Sequence, residues 1–527
     1  MKTKRNFEHF GVMLDCSRNA VMNVTKVKHF IDCLQKMGYN TLQLYTEDTY
    51  EIEGEPYFGY LRGRYTSAEL KEIDAYAKER DIELIPCVQT LGHFTALVKN
   101  HQFYEMIDSN DILLVDDDKT YELIEKIFAT IAENFTSRHV NIGMDETFTL
   151  GLGKFLKMHG YENRYSIFTR HLQRVIAIAE KYGFTAHMWS DMYFRLANKG
   201  EYYVDKNFVL PDDALNGIPE NVGLAYWDYY HVEKSEYDAM FVQHKKFNRK
   251  IWFAGGAWTW TGFASLNKMT LEKNKAAMAS VIDNEISNVL ITMWGDDGSE
   301  CSYFSTLPVL FTIRQYAEGN FDDAEIKRQF QELFGLHFDD FLLLDLPDME
   351  YTGQLGVSKV CLYNDPFLGI YDEEIRKKGE NPYILAAKQL REAERRTGEY
   401  SYIFESQRKL CEVLSQKLDF GVRVREAYCA GDKVLLASCV KELDFLQKKT
   451  AAFHKSFYTL WHKENKPQGW EIQDARLGGL MQRMKTCKMR LNEYLAGEID
   501  RIEELEEIIL DYIGSIRYRY LVSRSLT

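Results

Sequence analysis

The 527-residue sequence lacks several features that would assign a protein to a class at once. No apolar run approaches the ~20 residues that a membrane-spanning helix needs. The first ten residues, MKTKRNFEHF, have a basic start but no apolar signal-peptide segment. Nine cysteines lie far apart without a CxxC pair, so neither a disulfide framework nor a zinc site is indicated. We therefore expect a reduced, cytoplasmic protein outside the membrane.

An excess of basic charge is absent as well. The formal net charge is −14 at pH 7, and phosphate binding needs a basic face, so nucleic acid is not an expected partner. No Gly-rich phosphate loop stands out, and we predict no cofactor. Hydrophobic residues make up 45% and charged residues 27% of the chain, which is typical of a globular protein.

Short apolar runs alternate with helical patterns through the first 300 residues. Eight such runs occur, at 9–15, 40–45, 82–88, 139–144, 184–189, 222–228, 250–256 and 288–294. Helical periodicity between them is clearest at 25–38, 67–80, 121–134, 165–182 and 271–285. Eight strands alternating with helices predict an α/β fold, a (β/α)8 TIM barrel. Since 527 residues exceed one ordinary core, we expect two domains, with the barrel at 1–320.

The remainder, 321–527, is predicted to be an all-α C-terminal domain. Lys, Glu, Leu and Arg dominate it, and amphipathic helices are predicted at 381–398, 401–418, 433–453 and 480–513. Two stretches, 360–369 and 461–479, are rich in aromatic and polar residues and are predicted to be loops.

Polar and aromatic residues gather where the predicted strands end, which is the functional face of such a barrel. In chain order they are Asp15, Arg18, Glu47, Gln89, His93, Asp145, Glu146, Trp189, Asp191, Trp227, Asp228, Tyr229, Tyr230, Trp258, Trp260, Trp294, Asp296 and Glu300. Aromatic rings pack on the C–H faces of sugars, and charged groups bind hydroxyls. A single His among them is too few to predict a metal site.

Residues 141–146, NIGMDE, resemble the core signature of glycoside hydrolase family 20, the exo-β-N-acetylhexosaminidases. That signature is His-x-Gly-(Gly or Met)-Asp-Glu at the end of the fourth strand, and Asn141 stands here in place of the His. Residues 11–18 and the Gly92-His93 pair are similar to further family segments. The resemblance covers roughly residues 8–320. The short N-terminus and helical tail resemble the compact branch with hexosaminidase D and bacterial relatives.

The resemblance implies a retaining, substrate-assisted mechanism on glycans with terminal β-linked GlcNAc or GalNAc. Glu146 would be the general acid and base, and Asp145 would orient the 2-acetamido group while an oxazolinium intermediate forms. Arg18 would hold the C3 and C4 hydroxyls. His93, polarised by Glu47, would tune the pKa of Glu146. The aromatic box around the sugar would comprise Trp189, Trp227 and Trp294, with Trp258 as a further member.

Beyond Asn141, two further positions depart from the family pattern. Strand 7 is followed by Ala-Trp-Thr-Trp at 257–260, without the family Tyr that bonds the acetamido oxygen. Tyr229 or Tyr230 would take that role. Strand 8 presents Trp294-Gly-Asp296 where the family has Trp-x-Glu, so Asp296 is the positional match and Glu300 the alternative. A shorter acid there would relax the choice between GlcNAc and GalNAc.

Three other interpretations stay open at this point. The first is a β-glycosidase on the same barrel that uses two carboxylates without the acetamido group. The second is a sugar-binding barrel without catalysis. The third makes the helical domain the main functional part, as a protein-interaction module. Its apolar faces would serve either a homodimer or packing within the chain.

Overall fold

The computed structural model describes residues 7–348, 357–377 and 380–511. Eight parallel strands close into a barrel in chain order, and the first strand pairs with the eighth, with His9 opposite Asn288. The strands are β1 His9–Asp15, β2 Thr41–Thr46, β3 Glu83–Val88, β4 His139–Asn141, β5 Thr185–Trp189, β6 Gly223–Trp227, β7 Ile251–Gly256 and β8 Asn288–Met293. The predicted (β/α)8 barrel is confirmed.

Each of the eight predicted runs overlaps one barrel strand, because strands buried on both faces read as continuous apolar segments. The fourth strand is shorter than predicted. It ends at Asn141 rather than Met144, since Gly143 and Met144 have positive φ angles of 71° and 72° and leave the extended conformation. That early end places an irregular segment, 142–144, between the strand and the acidic residues 145 and 146.

Helices follow most barrel strands. Their bounds are Val24–Met37, Ser67–Lys78, Asp118–Asn134, Lys154–His159, Arg164–Lys181, Asp191–Arg195, Asp212–Asn216, Lys234–Lys245, Asn267–Asp283 and Leu307–Ala317. The first of them begins after Asn23, whose side chain accepts a hydrogen bond from the Lys26 amide, and ends at Gly38 with a φ of 82°. This N-cap and left-handed C-cap explain why the predicted periodicity starts and stops there.

Shorter elements complete the described chain. A small antiparallel pair joins Ile107–Ser109 to Ile112–Leu113. Single 3₁₀ turns occur at Leu97–Lys99, His101–Met106, Asp296–Gly298, Tyr303–Thr306, Leu343–Asp348 and Gly398–Tyr400. None of the described helices is long and apolar enough to cross a membrane.

The chain divides into two compact units. The first comprises Met1–Ala257, Met269–Trp294 and Val309–Ile326, and the second comprises Trp258–Lys268, Gly295–Pro308 and Lys327–Thr527. The segments after β7 and β8 therefore group with the second unit, although they lie within the predicted barrel domain at 1–320. That boundary remains a prediction.

The described part of the second unit is helical, as predicted for the C-terminal region. Its helices are Asp323–Phe334, which begins in the first unit, Phe338–Leu342, Val357–Tyr363, Asp372–Arg376, Tyr383–Glu394, Ser401–Lys417, Phe420–Cys429, Lys433–Glu464, Trp470–Ala496 and Glu503–Glu506.

The predicted loop at 461–479 is wrong in most of its length. One helix continues to Glu464 and the next begins at Trp470, because buried Leu460, Trp461 and Leu477 maintain the helical apolar spacing. The predicted loop at 360–369 begins within the helix Val357–Tyr363. The predicted helix at 480–513 ends at Ala496, where Gly497 adopts a left-handed φ of 76°. Its last two positions, 512–513, lie outside the described residues.

Candidate active site

Asp145 lies just beyond the C-terminal end of β4 and is fixed by two neighbours from the loop that follows β3. Gln89 Nε2 donates a hydrogen bond to Asp145 Oδ1 at 3.1 Å, and His93 Nε2 donates to Asp145 Oδ2 at 3.0 Å. Burial alone raises the pKa of Asp145, but the charge and hydrogen bond of His93 and the bond from Gln89 outweigh it and lower the pKa. Asp145 is therefore a charged carboxylate with both oxygens engaged.

His93 is the positive partner of this pair. Burial lowers the pKa of His93, yet the adjacent charge of Asp145 and their hydrogen bond more than offset it and raise the pKa to about 9. His93 is consequently an imidazolium at neutral pH. Glu47 also raises the pKa of His93 through its charge, but the hydrogen-bonding partner of His93 Nε2 is Asp145 and not Glu47.

Glu146 has a different environment from its neighbour. Its side chain is 41% exposed, and its oxygens lie 3.6 Å from Arg195 Nη2 and 4.0 Å from His93 Nε2. Burial of part of the carboxyl group and the charge of Asp145 raise the pKa of Glu146, against the opposing charges of His93 and Arg195. Two adjacent carboxyl groups thus differ in pKa, with the inner one lowered and the outer one raised.

The turn that presents the two acids needs glycine at position 143. A Cβ at Gly143 would lie 2.0 Å from Gln89 Oε1, and the φ of 71° also favours glycine. Gln89 Oε1 accepts a hydrogen bond from the Met144 amide at 3.3 Å, so the same side chain fixes both the turn and Asp145. Glu146 itself has a φ of 50°, a strained conformation that is common at functional sites.

Arg18 is connected to Asp145 by a buried polar network. Its Nε lies 3.5 Å from Glu47 Oε1 and 3.9 Å from Asp15 Oδ2. Tyr45 donates to the same Glu47 oxygen at 3.2 Å and accepts a hydrogen bond from Gln89 at 3.0 Å. The structure therefore brings Arg18, at the end of β1, into one network with the acids at the end of β4.

The predicted aromatic residues of the first unit form two neighbouring groups. Trp189 is 6.1 Å from Trp294, measured between ring centroids, and Trp227 stacks on Tyr229 at 5.4 Å and 17°. The Tyr229 hydroxyl is hydrogen bonded to Thr292 and Trp294, which joins the groups. Tyr230, the alternative to Tyr229, is 51% exposed.

Asp191, which was predicted to lie at a strand end but was given no role, and Arg195, which was not predicted, also belong to the site. Asp191 Oδ2 accepts hydrogen bonds from the Glu146 amide at 3.1 Å and from Arg195 Nε at 2.9 Å. Burial and the charge of Asp145 raise the pKa of Asp191 to about 7. The i,i+4 spacing of an acid and an Arg directly after β5 was the sequence signal for this pair.

Two predicted residues, Trp258 and Asp296, fall in the second unit. Trp258 is buried there and stacks on Trp260 with ring centroids 4.4 Å apart. Glu300, the alternative to Asp296, is buried in ion pairs with Lys359 at 2.8 Å and Arg476 at 2.6 Å. The carboxylate of Glu300 is therefore paired with two basic side chains of its own unit.

Comparison with known proteins agrees with the resemblance read from the motif. Residues 7–210 match the sequence model described as "Glycosyl hydrolase family 20, catalytic domain", and residues 339–519 match "Glycoside Hydrolase 20C C-terminal domain". The chain belongs to glycoside hydrolase family 20.

Individual relatives are distant. The chain is 24% identical to hexosaminidase D of Homo sapiens over 40% of this chain and 43% of that one. It is 27% identical to a beta-hexosaminidase of Vibrio furnissii over 28% and 30% of the two chains. In both alignments it spans less than half of the relative's length. The structure of Flavobacterium johnsoniae chitobiase matches with a TM-score of 0.49 and 16% identity, over 87% of this chain and 78% of that one.

Proposed function

We propose that the protein is an exo-β-N-acetylhexosaminidase that removes terminal β-linked GlcNAc or GalNAc from oligosaccharides or glycoconjugates. The observation that carries this proposal is that the pKa values of two adjacent acids are shifted in opposite directions. The pKa of Asp145 is lowered while that of Glu146 is raised. Such a divergence separates a permanently charged group from a proton donor. The names of the hexosaminidase relatives support the same substrate class.

Glu146 serves as the general acid and then as the general base. Its raised pKa keeps a larger fraction protonated near neutral pH, and its partly exposed side chain can reach a glycosidic oxygen. After the leaving group departs, the resulting carboxylate takes a proton from the attacking water. The attacking water therefore takes the place that the glycosidic oxygen has left, on the same face of the sugar, which suits retention of configuration.

Asp145 serves as an electrostatic partner of the 2-acetamido group. The carbonyl oxygen of the substrate attacks C1, and positive charge develops on the amide nitrogen as the oxazolinium ion forms. A buried carboxylate, held in place by His93 and Gln89, stabilises that charge without reorganising. No covalent bond between sugar and protein is needed.

The remaining predicted residues bind the sugar. Arg18 is suited to donating to the C3 and C4 hydroxyls, while the rings of Trp189, Trp227 and Trp294 pack on the pyranose and the acetamido methyl group. The buried Nε1 of Trp189 has no hydrogen-bond partner among the described residues, which suits a donor reserved for substrate. Tyr229 is the better candidate for the acetamido oxygen because it lies in the aromatic cluster.

Trp258 and Asp296, in the segments that follow β7 and β8, remain predicted sugar-binding residues. Asp296 would contact the C4 and C6 hydroxyls. With Glu300 engaged by Lys359 and Arg476, Asp296 is the preferred acid for that role. A carboxylate one methylene shorter than the family Glu supports turnover of both C4 epimers.

The two-carboxylate glycosidase is less well supported. In that mechanism the second acid attacks C1 directly. Hydrogen bonds from Gln89 and His93 hold both oxygens of Asp145 in place. The arrangement favours a fixed counter-charge over an attacking group.

A panel of four p-nitrophenyl conjugates tests the proposed activity, namely β-GlcNAc, β-GalNAc, β-glucoside and β-galactoside. We expect release of p-nitrophenol from the two 2-acetamido substrates only, since the plain glycosides lack the internal nucleophile. Turnover of the plain glycosides at an equal rate would favour the two-carboxylate mechanism. No turnover of any conjugate would favour a sugar-binding barrel.

Replacing Arg195 with Met should move the alkaline limb of the kcat/KM profile to higher pH. The Arg195 charge lowers the pKa of Glu146, so its removal raises that pKa and extends protonation of the acid to higher pH. The measurement is kcat/KM for p-nitrophenyl β-GlcNAc across pH. Arg174→Met, which replaces a partly exposed Arg on the helix Arg164–Lys181, is the matched control and should leave the profile unchanged. A shift to lower pH in Arg195→Met would contradict this assignment.

A further inference from the structure

A second cluster of ionisable residues lies at the opposite, N-terminal end of the barrel strands. His9, Glu83 and His139 are the first residues of β1, β3 and β4. His9 Nε2 is 3.2 Å from Glu83 Oε2, and His139 Nδ1 is 2.9 Å from Glu83 Oε1. One nitrogen or oxygen of each residue lies within 4.8 Å of those of the other two. The proposed mechanism uses none of them.

The neighbours of His9 determine which ring nitrogen faces Glu83. His9 Nδ1 lies 2.8 Å from Asn288 Oδ1, while Asn288 Nδ2 donates to Ser287 Oγ at 3.2 Å. The amide orientation makes Oδ1 the acceptor, so Nδ1 of His9 carries a hydrogen. In neutral His9 the lone pair of Nε2 then faces a carboxylate oxygen. That contact is repulsive unless a proton or a metal ion lies between the two atoms.

Glu83 is equally well ordered by its surroundings. Ser137 Oγ donates to Glu83 Oε1 at 2.6 Å, in addition to the two histidines. The orientation of Glu83 is therefore fixed by a hydroxyl outside the cluster.

A cavity of about 250 Å³ lies beside the cluster. His9 and His139 line it, and so does Trp252, whose ring stacks between His9 at 4.7 Å and His187 at 4.1 Å. The cavity is large enough for several water molecules. It gives a bound ion an entry path and room for a water ligand.

We propose that His9, Glu83 and His139 form a binding site for a divalent transition-metal ion of the Zn²⁺ type. Two imidazole nitrogens and one carboxylate are a donor set that Zn²⁺ accepts, with a water from the cavity as fourth ligand. Ligands about 2.0–2.1 Å from a tetrahedral ion lie about 3.3 Å apart. The separations of 3.2 Å (His9 Nε2 to Glu83 Oε2) and 2.9 Å (His139 Nδ1 to Glu83 Oε1) are close to that edge, and because they involve different oxygens of Glu83 they suit a carboxylate that binds the ion through both oxygens. Asn288 and Ser137 orient the ligands from outside, as partners of metal ligands do.

The site would link three barrel strands that are separated in the sequence. Because the ligands lie at the end of the barrel opposite Asp145 and Glu146, the ion has a structural role in this proposal and takes no part in glycoside cleavage. The competing arrangement has His9 and His139 protonated around Glu83 with no metal. The two arrangements differ in stoichiometric metal binding, which can be measured without substrate.

The test is metal binding by the full chain after removal of metals with a chelator. We expect titration calorimetry to show one Zn²⁺ per chain, and Co²⁺ to show the visible d–d bands of nitrogen and oxygen coordination. Zn²⁺ should also raise Tm, because an ion that binds only the folded state stabilises it. Absence of a stoichiometric binding step in the wild type would overturn the proposal.

His139→Ala and Glu83→Gln identify the ligands. Loss of an outer partner costs about 10- to 100-fold in affinity, so loss of a direct ligand should weaken Zn²⁺ binding by about 100-fold or more. His139 is the safer variant since its side chain is 34% exposed, and circular dichroism verifies the fold of both. His101→Ala removes an exposed histidine elsewhere and should bind as the wild type does. Unchanged binding in folded His139→Ala would overturn the proposal.

Discussion

Glu146→Gln should lose activity on p-nitrophenyl β-GlcNAc by on the order of 10³-fold in kcat, within the range for a general acid and base. Gln has the same shape but neither donates an acidic proton nor accepts one from water. The raised pKa of Glu146 and its contact with Arg195 at 3.6 Å are the features that suit it to this role. The measurement is kcat and KM at the pH optimum of the wild type, with KM expected to change little.

The matched control is Glu122→Gln, an exposed Glu on the helix Asp118–Asn134 of the same unit. It makes the same chemical change away from the site and should retain wild-type kcat. If Glu146→Gln kept more than about a tenth of wild-type kcat, the assignment of Glu146 as acid and base would be wrong, because such groups contribute at least about 10²-fold.

Asp145→Asn should reduce kcat for the 2-acetamido substrates by about 10²- to 10³-fold, which is typical for loss of one preorganised electrostatic partner. The amide keeps the size of the carboxyl group but has no charge to stabilise the developing oxazolinium ion, and it can accept only one of the two hydrogen bonds that Gln89 and His93 donate. The change also removes the charged partner of His93. The charge of Asp145 is the largest of the contributions that raise the pKa of His93 to about 9. His93 should therefore become neutral near physiological pH.

Two measurements separate this role from simple damage to the fold. The pKa of His93, followed by NMR, should fall in Asp145→Asn and stay near 9 in the exposed control Asp118→Asn. The decrease in rate should appear in kcat more than in KM, since the charge acts on the transition state. A variant with nearly normal kcat would show that Asp145 does not support the acetamido group.

The barrel could be predicted from the sequence because its strands are buried on both faces. Eight apolar runs, separated by amphipathic patterns, allow few other arrangements. The bounds of the helices in the C-terminal region were less predictable. The loop predicted at 461–479 contained Gly and Pro signals, but packing of residues such as Trp461 and Leu477 maintained helix through most of it.

The candidate site was predicted as a set of strand ends, whereas its internal pairing was not. The positions of the predicted strands place Asp145, His93 and Arg18 at the same end of the barrel. They do not indicate that His93 forms its hydrogen bond with Asp145 instead of Glu47. Arg195 was missed because it lies a helical turn beyond the strand end, where an Arg is usually a surface residue. The cluster of His9, Glu83 and His139 could not be predicted for a different reason. They begin strands, and they are dispersed over 130 residues of sequence.

The measurement that tests the central claim most directly is the rate on a series of p-nitrophenyl β-GlcNAc analogues with mono-, di- and trifluorinated acetamido groups. Each fluorine withdraws electrons from the carbonyl oxygen and weakens it as an internal nucleophile. If the acetamido group attacks C1 with Asp145 as its counter-charge, kcat/KM falls steeply and progressively along the series. A rate that is independent of fluorination would contradict the account and would assign the attack on C1 to a carboxylate of the protein.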